Sequence, residues 1–257
     1  MNIHPTALVD ASVRIAAGTV IGAYTVIGPG VEISENCCID HHVNIEKDTS
    51  LGPDCRVWPF ASIGSDPQDL KYKGEPTRLV IGARTRIREF VTISRGTGEG
   101  GGVTSIGDDC LIMAYSHVAH DCRIGNQVVM ANATTLAGHI IIEDNVGMGG
   151  MVAVHQFCRI GTHAFIGGCS SLSQDAAPYM LYEGIRAGSP SVNIVGLKRS
   201  GFSPEVVDAL KQAHKILFRS QHTVKRAVEL INDSVPMLAE IRRLLEFIKS
   251  AERGISR

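Results

Sequence analysis

Twenty-five aliphatic residues recur at six-residue spacing along this chain, and that period constrains its fold more than any other feature. The first run is Val9, Ile15, Ile21, Ile27, Ile33, Ile39, Ile45, Leu51, Val57 and Ile63. Ile81, Ile87 and Ile93 follow an interruption. After a second interruption and a phase shift come Ile106, Ile112, Val118, Ile124, Met130, Leu136, Ile142, Met148, Val154, Ile160, Ile166 and Leu172. A six-residue period fits neither an amphipathic helix nor a hairpin meander. It fits a parallel β-helix in which three short strands complete one 18-residue coil. Each buried aliphatic contributes roughly 1.5–3 kcal/mol.

Four residues after each aliphatic the sequence places something slim, among them Thr19, Cys37, Cys55, Cys110, Cys122 and Cys158. The large residue is expected to fill the prism and the slim one its corner. Five of the seven cysteines are thereby read as buried packing residues, and no CxxC motif suggests metal or redox chemistry. Glycine or aspartate often follows the aliphatic, as at Gly22 and Gly28, where an unusual backbone conformation is expected. The narrow core also accounts for an aromatic content of only 5%.

At 257 residues and a net charge of −1 the chain does not have the electrostatics of a nucleic-acid binder. No signal-like or membrane-length apolar run is present, so no integral membrane segment and a cytoplasmic location are expected. Charge is uneven. Residues 197–257 carry 12 Lys/Arg against 7 Asp/Glu, leaving 13 against 19 elsewhere. A basic tail on an acidic body points to an acidic partner.

The repeat is read over about 9–176, with loops at 64–80 and 94–104, the second rich in glycine. Residues 176–196 read as an irregular connector. Ser203-Pro204-Glu205 is an N-cap with proline at the first helical position, opening a helix to about Arg219. Thr223 caps a second, ending near Asn232, and Pro236 opens a third that Gly254 stops. The domains expected are a β-helix over 1–190 and a helical unit over 191–257.

Five of ten histidines fall within residues 117–163. His120 lies two positions after Val118, at a corner outside the prism. Residues 18 apart should stack at about 4.8 Å, placing His120, Gly138 and Gln156 in one line, with His139 and His155 one residue off it. His117 and His155 flank core positions and point outward. A solvent-facing stack of imidazoles reads as a functional site. A convex prism offers only one wall to a ligand, so a cyclic homo-oligomer with shared sites is expected. Zinc is the competing reading, since His117 and His120 lie near Asp121; the stacked line offers Gly138 and Gln156 where further ligands would be wanted.

The segments MAYSHVAHDC (113–122), ATTLAGH (133–139), AVHQFC (153–158), GGCS (167–170), QDLKYKGEPTR (68–78) and VNIVGLKRSGFS (192–203) together resemble the acyl-[acyl-carrier-protein]–UDP-N-acetylglucosamine O-acyltransferase family, which opens lipid A biosynthesis. The resemblance spans essentially the whole chain. It implies a left-handed parallel β-helix, a homotrimer, and no metal or organic cofactor. It implies transfer of an (R)-3-hydroxyacyl group from acyl carrier protein to the 3-position of UDP-N-acetylglucosamine. On the matching motifs His120 resembles the general base, Asp121 its orienting partner and Gly138 the backbone oxyanion donor. Asp69, Lys71, His117, His139, His155 and Gln156 resemble substrate contacts, and Asn193 and Arg199 resemble nucleotide contacts from a neighbouring subunit. Gly168 resembles the position that sets acyl length, its missing side chain leaving the groove open to a long chain. The basic helices, with Lys211, Lys215, Arg219, Arg242 and Arg243, are expected to dock the acidic carrier protein. Ser94, Val195 and Ser200 depart from the pattern, where His, Glu and a second Arg are common. The alternatives are the sister N-acyltransferase, which acts on a 3-O-acylated UDP-glucosamine, a γ-class zinc carbonic anhydrase, and a non-catalytic β-helix scaffold.

Overall fold

The computed structural model describes residues 2–257. Among them, strands two to five residues long form three sheets of eleven, nine and eight strands, one on each side of a left-handed prism. Strand pairing is parallel at an 18-residue offset. Asn2–Ile3 pairs with Val20–Ile21 in the first sheet, Leu8–Val9 with Val26–Ile27 in the second, and Arg14–Ile15 with Glu32–Ile33 in the third. The coil therefore starts at Ile3, one hexad earlier than the sequence reading. The aliphatic series is buried from Ile21 onward, and so are the slim residues, including Cys37, Cys55, Cys110, Cys122 and Cys158.

Except at Gly64, with φ +77°, the left-handed residue of a corner is not the glycine after the aliphatic. It falls two positions later, at Tyr24, Asn36, His42, Asp121, His139 and other non-glycine equivalents with φ between 53° and 68°, and at Gly18 and Gly30 with φ 77° and 71°. Gly22 meets a different constraint: a Cβ there would lie 2.6 Å from the Asp40 carbonyl carbon on the next coil. These glycines let stacked corners approach; they do not supply the turn.

Both excursions leave the prism at one corner, between the second and third sheets. The first runs from strand Ser62–Ser65 to strand Arg78–Ile81, the second from Thr92–Ser94 to Val103–Ile106. Each is a few residues shorter than the sequence suggested. The segment read as an irregular connector is ordered. Met180–Glu183 adds a parallel strand to the first sheet, and Gly188–Val192 pairs with it antiparallel. A short helix, α1 (Ile194–Arg199), follows, capped by Asn193.

Helix α2 spans Pro204–Phe218 with Ser203 as its N-cap, and α3 spans Val224–Ser234 with Thr223 as its N-cap. Helix α4 spans Ala239–Lys249, opening three residues after Pro236 and ending before Gly254. Buried Val207, Leu210 and Leu217 of α2 meet Ile231 of α3 and Leu244 of α4 in the shared core. The tail returns to the prism: Ser256 N–H donates to the Asp175 carbonyl at 2.8 Å. No helix among the described residues is long and apolar enough to cross a membrane.

Candidate active site

His120 and Asp121 turn the corner above the two excursions. Asp121 takes φ +60°, and this left-handed step brings the side chains of consecutive residues together. His120 Nδ1 lies 2.8 Å from Asp121 Oδ2. The Asp121 side chain is 1% exposed and that of His120 14%. The second excursion seals the carboxylate. Thr97 donates its N–H to Oδ1 at 2.9 Å and its hydroxyl to Oδ2 at 2.7 Å. Asp121 N–H donates to Thr104 Oγ1 at 2.8 Å. A Cβ on Gly100 would lie 2.1 Å from Asp121 Cγ, so part of the glycine content of this loop lets its backbone close over the acid.

The expected stack is present. His139 N–H donates to the His120 carbonyl and Phe157 N–H to the Gly138 carbonyl, aligning these corners coil on coil. The His139 ring meets His120 edge-on at 5.1 Å and lies flat against Phe157 at 4.5 Å. His139 Nε2 is 3.7 Å from Asp121 Oδ2. Gly138 N–H donates to no acceptor among the described residues, which leaves it free for a ligand. His117 stands on the outer face of the second sheet with Nδ1 2.7 Å from Thr92 Oγ1. Burial, and then the neighbouring His120, hold its pKa below the ordinary value. His155 and Gln156 are exposed on the next coil.

The first excursion supplies Asp69 and Lys71. The Asp69 carboxylate accepts the Lys71 N–H at 3.0 Å, and Lys71 Nζ reaches Glu99 of the second excursion at 3.2 Å. Arg95 is fully buried and ties the loops together, donating to the Gly64 carbonyl and to Asp66, and to Tyr72 Oη at 3.3 Å. Thr97, Thr104, Gly100 and Arg95 were not singled out in the sequence. The run SRGTGEGGGVT signalled a loop but not the carboxylate it covers.

The remaining candidates lie elsewhere on the protomer. Gly168 sits at the corner between the first and second sheets, in line with Gly150, whose carbonyl oxygen would be 3.3 Å from an added Cβ. Its φ is not positive, so the turn itself does not demand glycine. Asn193 and Arg199 line a cavity of about 450 Å³ against Phe165 and Leu181 of the first sheet. The Asn193 amide caps α1 and donates to the His163 carbonyl at 2.9 Å. Arg199 is exposed and pairs with no acid among the described residues. Val195 is exposed beside it, Ser200 ends α1, and Ser94 is buried.

His120, Asp121 and His139 are the one His/Cys/Asp/Glu group found close enough to share a cation among the described residues. However, both Asp121 oxygens already accept hydrogen bonds, from Thr97 and from His120, so this donor set fits a hydrogen-bonded dyad. Cys122 and Cys158 are disfavoured as nucleophiles too. Burial pushes Cys122 up to about 12 and Cys158 up to about 11, which keeps both protonated at neutral pH.

Two family models match the chain: the second domain of UDP-N-acetylglucosamine O-acyltransferase over residues 175–256, and the bacterial transferase hexapeptide (six repeats) over residues 104–138. A curated relative from Thermodesulfovibrio yellowstonii, an acyl-[acyl-carrier-protein]–UDP-N-acetylglucosamine O-acyltransferase, is 49% identical over 256 residues, covering 100% of this chain and 99% of its own. The solved Acinetobacter baumannii LpxA superposes at a TM-score of 0.96 with 38% identity, covering 100% of both chains. The Arabidopsis UDP-N-acetylglucosamine acyltransferase superposes at 0.86 with 35% identity over 99% of this chain and 100% of its own. The chain belongs to the acyl-[acyl-carrier-protein]–UDP-N-acetylglucosamine O-acyltransferase family.

Proposed function

We propose that this protein transfers an (R)-3-hydroxyacyl group from acyl carrier protein to the 3-hydroxyl of UDP-N-acetylglucosamine, a step of lipid A biosynthesis. The observation that carries this reading is the corner dyad: an imidazole with one nitrogen bonded to a buried carboxylate and the other turned outward, beside a free backbone N–H. A sugar hydroxyl is a weak nucleophile, and imidazole titrates close to neutral pH. His120 Nε2 takes the hydroxyl proton as the oxygen attacks the thioester carbonyl carbon. Gly138 N–H donates to the oxyanion of the tetrahedral intermediate. Its collapse breaks the C–S bond, and the His120 imidazolium returns the proton to the departing thiolate. Asp121 holds the Nδ1 proton and balances the imidazolium charge.

Asp69, Lys71, His117, His139, His155 and Gln156 are assigned to substrate on this corner, and Gly168 to acyl length. Asn193 and Arg199 are assigned to the nucleotide, with the free Arg199 guanidinium suited to a phosphate. Because these groups occupy different sides of one protomer, the complete site is assembled in a homotrimer. An exposed ladder supports close packing of copies: Phe60, Phe90 and Tyr115 stack at 5.0 Å steps along the corner that also bears Gly168. The β-helix (1–190) carries the chemistry and the helical unit (191–257) docks the acidic carrier protein, in the cytoplasm. Arg243 and Arg219 are engaged internally, with Glu143 at 3.0 Å and the Pro190 carbonyl at 2.6 Å. Lys215 and Arg242 are the better docking candidates of the original five.

The test is His120→Ala. Positioned general bases contribute about 10²–10⁴-fold, so transfer should fall by that factor with the thermal midpoint unchanged. Activity within a fewfold of wild type would remove His120 from the mechanism.

A further inference from the structure

We propose that Thr97 is the positioning residue that fixes the tautomer of His120, acting through Asp121; its effect on turnover rests on the reaction proposed above. The chain of hydrogen bonds has one consistent direction. Gly100 N–H donates to Thr97 Oγ1 at 3.1 Å, occupying a lone pair of the hydroxyl. The single hydroxyl proton then goes to Asp121 Oδ2, at 2.7 Å. Thr97 N–H holds the other oxygen at 2.9 Å. An ionised carboxylate only accepts, so the remaining contact to Oδ2 requires the proton on His120 Nδ1, at 2.8 Å. Nε2 is left with its lone pair free for the acceptor hydroxyl.

Thr97 has no substitute in this role. The Asp121 side chain is 1% exposed, so water does not replace a lost donor. Thr97 itself is 5% exposed and hydrogen-bonds to Asp121 rather than to the imidazole, which distinguishes it from a catalytic residue. Two residues earlier, fully buried Arg95 anchors the same loop to the base of the first excursion through Gly64 and Asp66. The geometry of the dyad is thus referred to the prism through the glycine-rich loop.

The titratable groups facing His120 are Asp121, His139 edge-on at 5.1 Å, and His117, whose pKa is lowered by burial and then by the proximity of His120. Replacing Thr97 by valine keeps shape and backbone N–H but removes one donor from Oδ2. With only the Thr97 N–H left to hold it, the carboxylate turns more freely about Cβ–Cγ and no longer keeps one oxygen against Nδ1, so the imidazole proton is no longer confined there.

The experiment is ¹⁵N NMR of histidine-labelled protein without substrate, with the His120 signals identified by their loss in His120→Gln. Wild type should show a neutral His120 protonated at Nδ1. Thr97→Val should show a share of the Nε2-protonated tautomer and lower kcat about tenfold with KM held within about twofold. Thr97→Ser should restore both. A neutral wild-type His120 protonated at Nε2, or a Thr97→Val spectrum that keeps the wild-type tautomer, overturns the proposal. If the valine variant does not fold, Thr97→Ala removes the same donor and is read in the same way. The tautomer is read without turnover, so failure of wild-type protein to acylate a UDP-sugar counts against the reaction and not against the Thr97 contact.

Discussion

The His120 ring lies over Gly138 so closely that a Cβ at 138 would be 2.7 Å from His120 Cε1 and 2.9 Å from Nε2. The glycine is therefore a steric requirement of the base one coil below it, as well as the source of a free N–H. Gly138→Ala keeps the N–H but should displace the ring and lower kcat about 10²-fold, the scale of misplacing a catalytic group by about 1 Å. The β-helix core does not include this position, so circular dichroism should stay unchanged. Transfer close to wild type in Gly138→Ala would contradict the contact.

The site is predicted to be shared between copies, because His120 and the Asn193–Arg199 cavity lie on different sides of one protomer. His120→Ala and Arg199→Ala chains, each nearly inactive alone, should regain a fraction of wild-type activity when refolded together. Absence of rescue, or a monomer with full activity in light scattering, would contradict the shared site.

The period of six carried the prism, its core and the outward corner at His120, because each strand and corner is built from local spacing. The coil-on-coil line of His120, Gly138 and Gln156 followed from the same arithmetic. The left-handed residue was misplaced by two positions, since Gly22 answers to the Asp40 backbone of the next coil and not to its own φ. Strands Met180–Glu183 and Gly188–Val192 were missed, because they pair at the prism end without the hexad pattern. Thr97 was invisible for a related reason. Its partner Asp121 lies 24 residues away, across a loop whose length hides which coil it returns to.

Stability should fall on mild acidification. His117, His163 and His214 all have pKa values below the ordinary 6.5, with burial the largest cause in each. The unfolded chain takes up protons at about pH 6.5 while the folded chain resists them, so unfolding binds protons below that pH. The stabilisation is fully present above about pH 6.5 and is lost as pH falls through the folded values. Tm should be level from about pH 8 to 6.5 and then decline, with a shallower decline in His214→Asn. A Tm that rises between about pH 6.5 and 5 would contradict this.

Acyl length should respond to Gly168. An added Cβ there sits on a normal backbone and meets the Gly150 carbonyl oxygen at 3.3 Å, a tight contact relieved by a shift of a few tenths of an ångström. Gly168→Met should fold, block the far end of the groove and shift preference to a shorter donor, each lost methylene contact costing about 0.8 kcal/mol. An unchanged profile across a ladder of 3-hydroxyacyl carrier proteins would remove Gly168 from length selection.

Acyl transfer to the sugar 3-hydroxyl is decided by the structure of the product. Purified protein is incubated with UDP-N-acetylglucosamine and 3-hydroxyacyl carrier protein, and the product is analysed by mass spectrometry and two-dimensional NMR. The expected product is a UDP-sugar heavier by one 3-hydroxyacyl group, esterified at O3, with one carrier thiol released per ester and about 10²–10⁴-fold less of it from His120→Ala. An amide, an ester at another hydroxyl, or no acylated sugar from wild-type protein would contradict it.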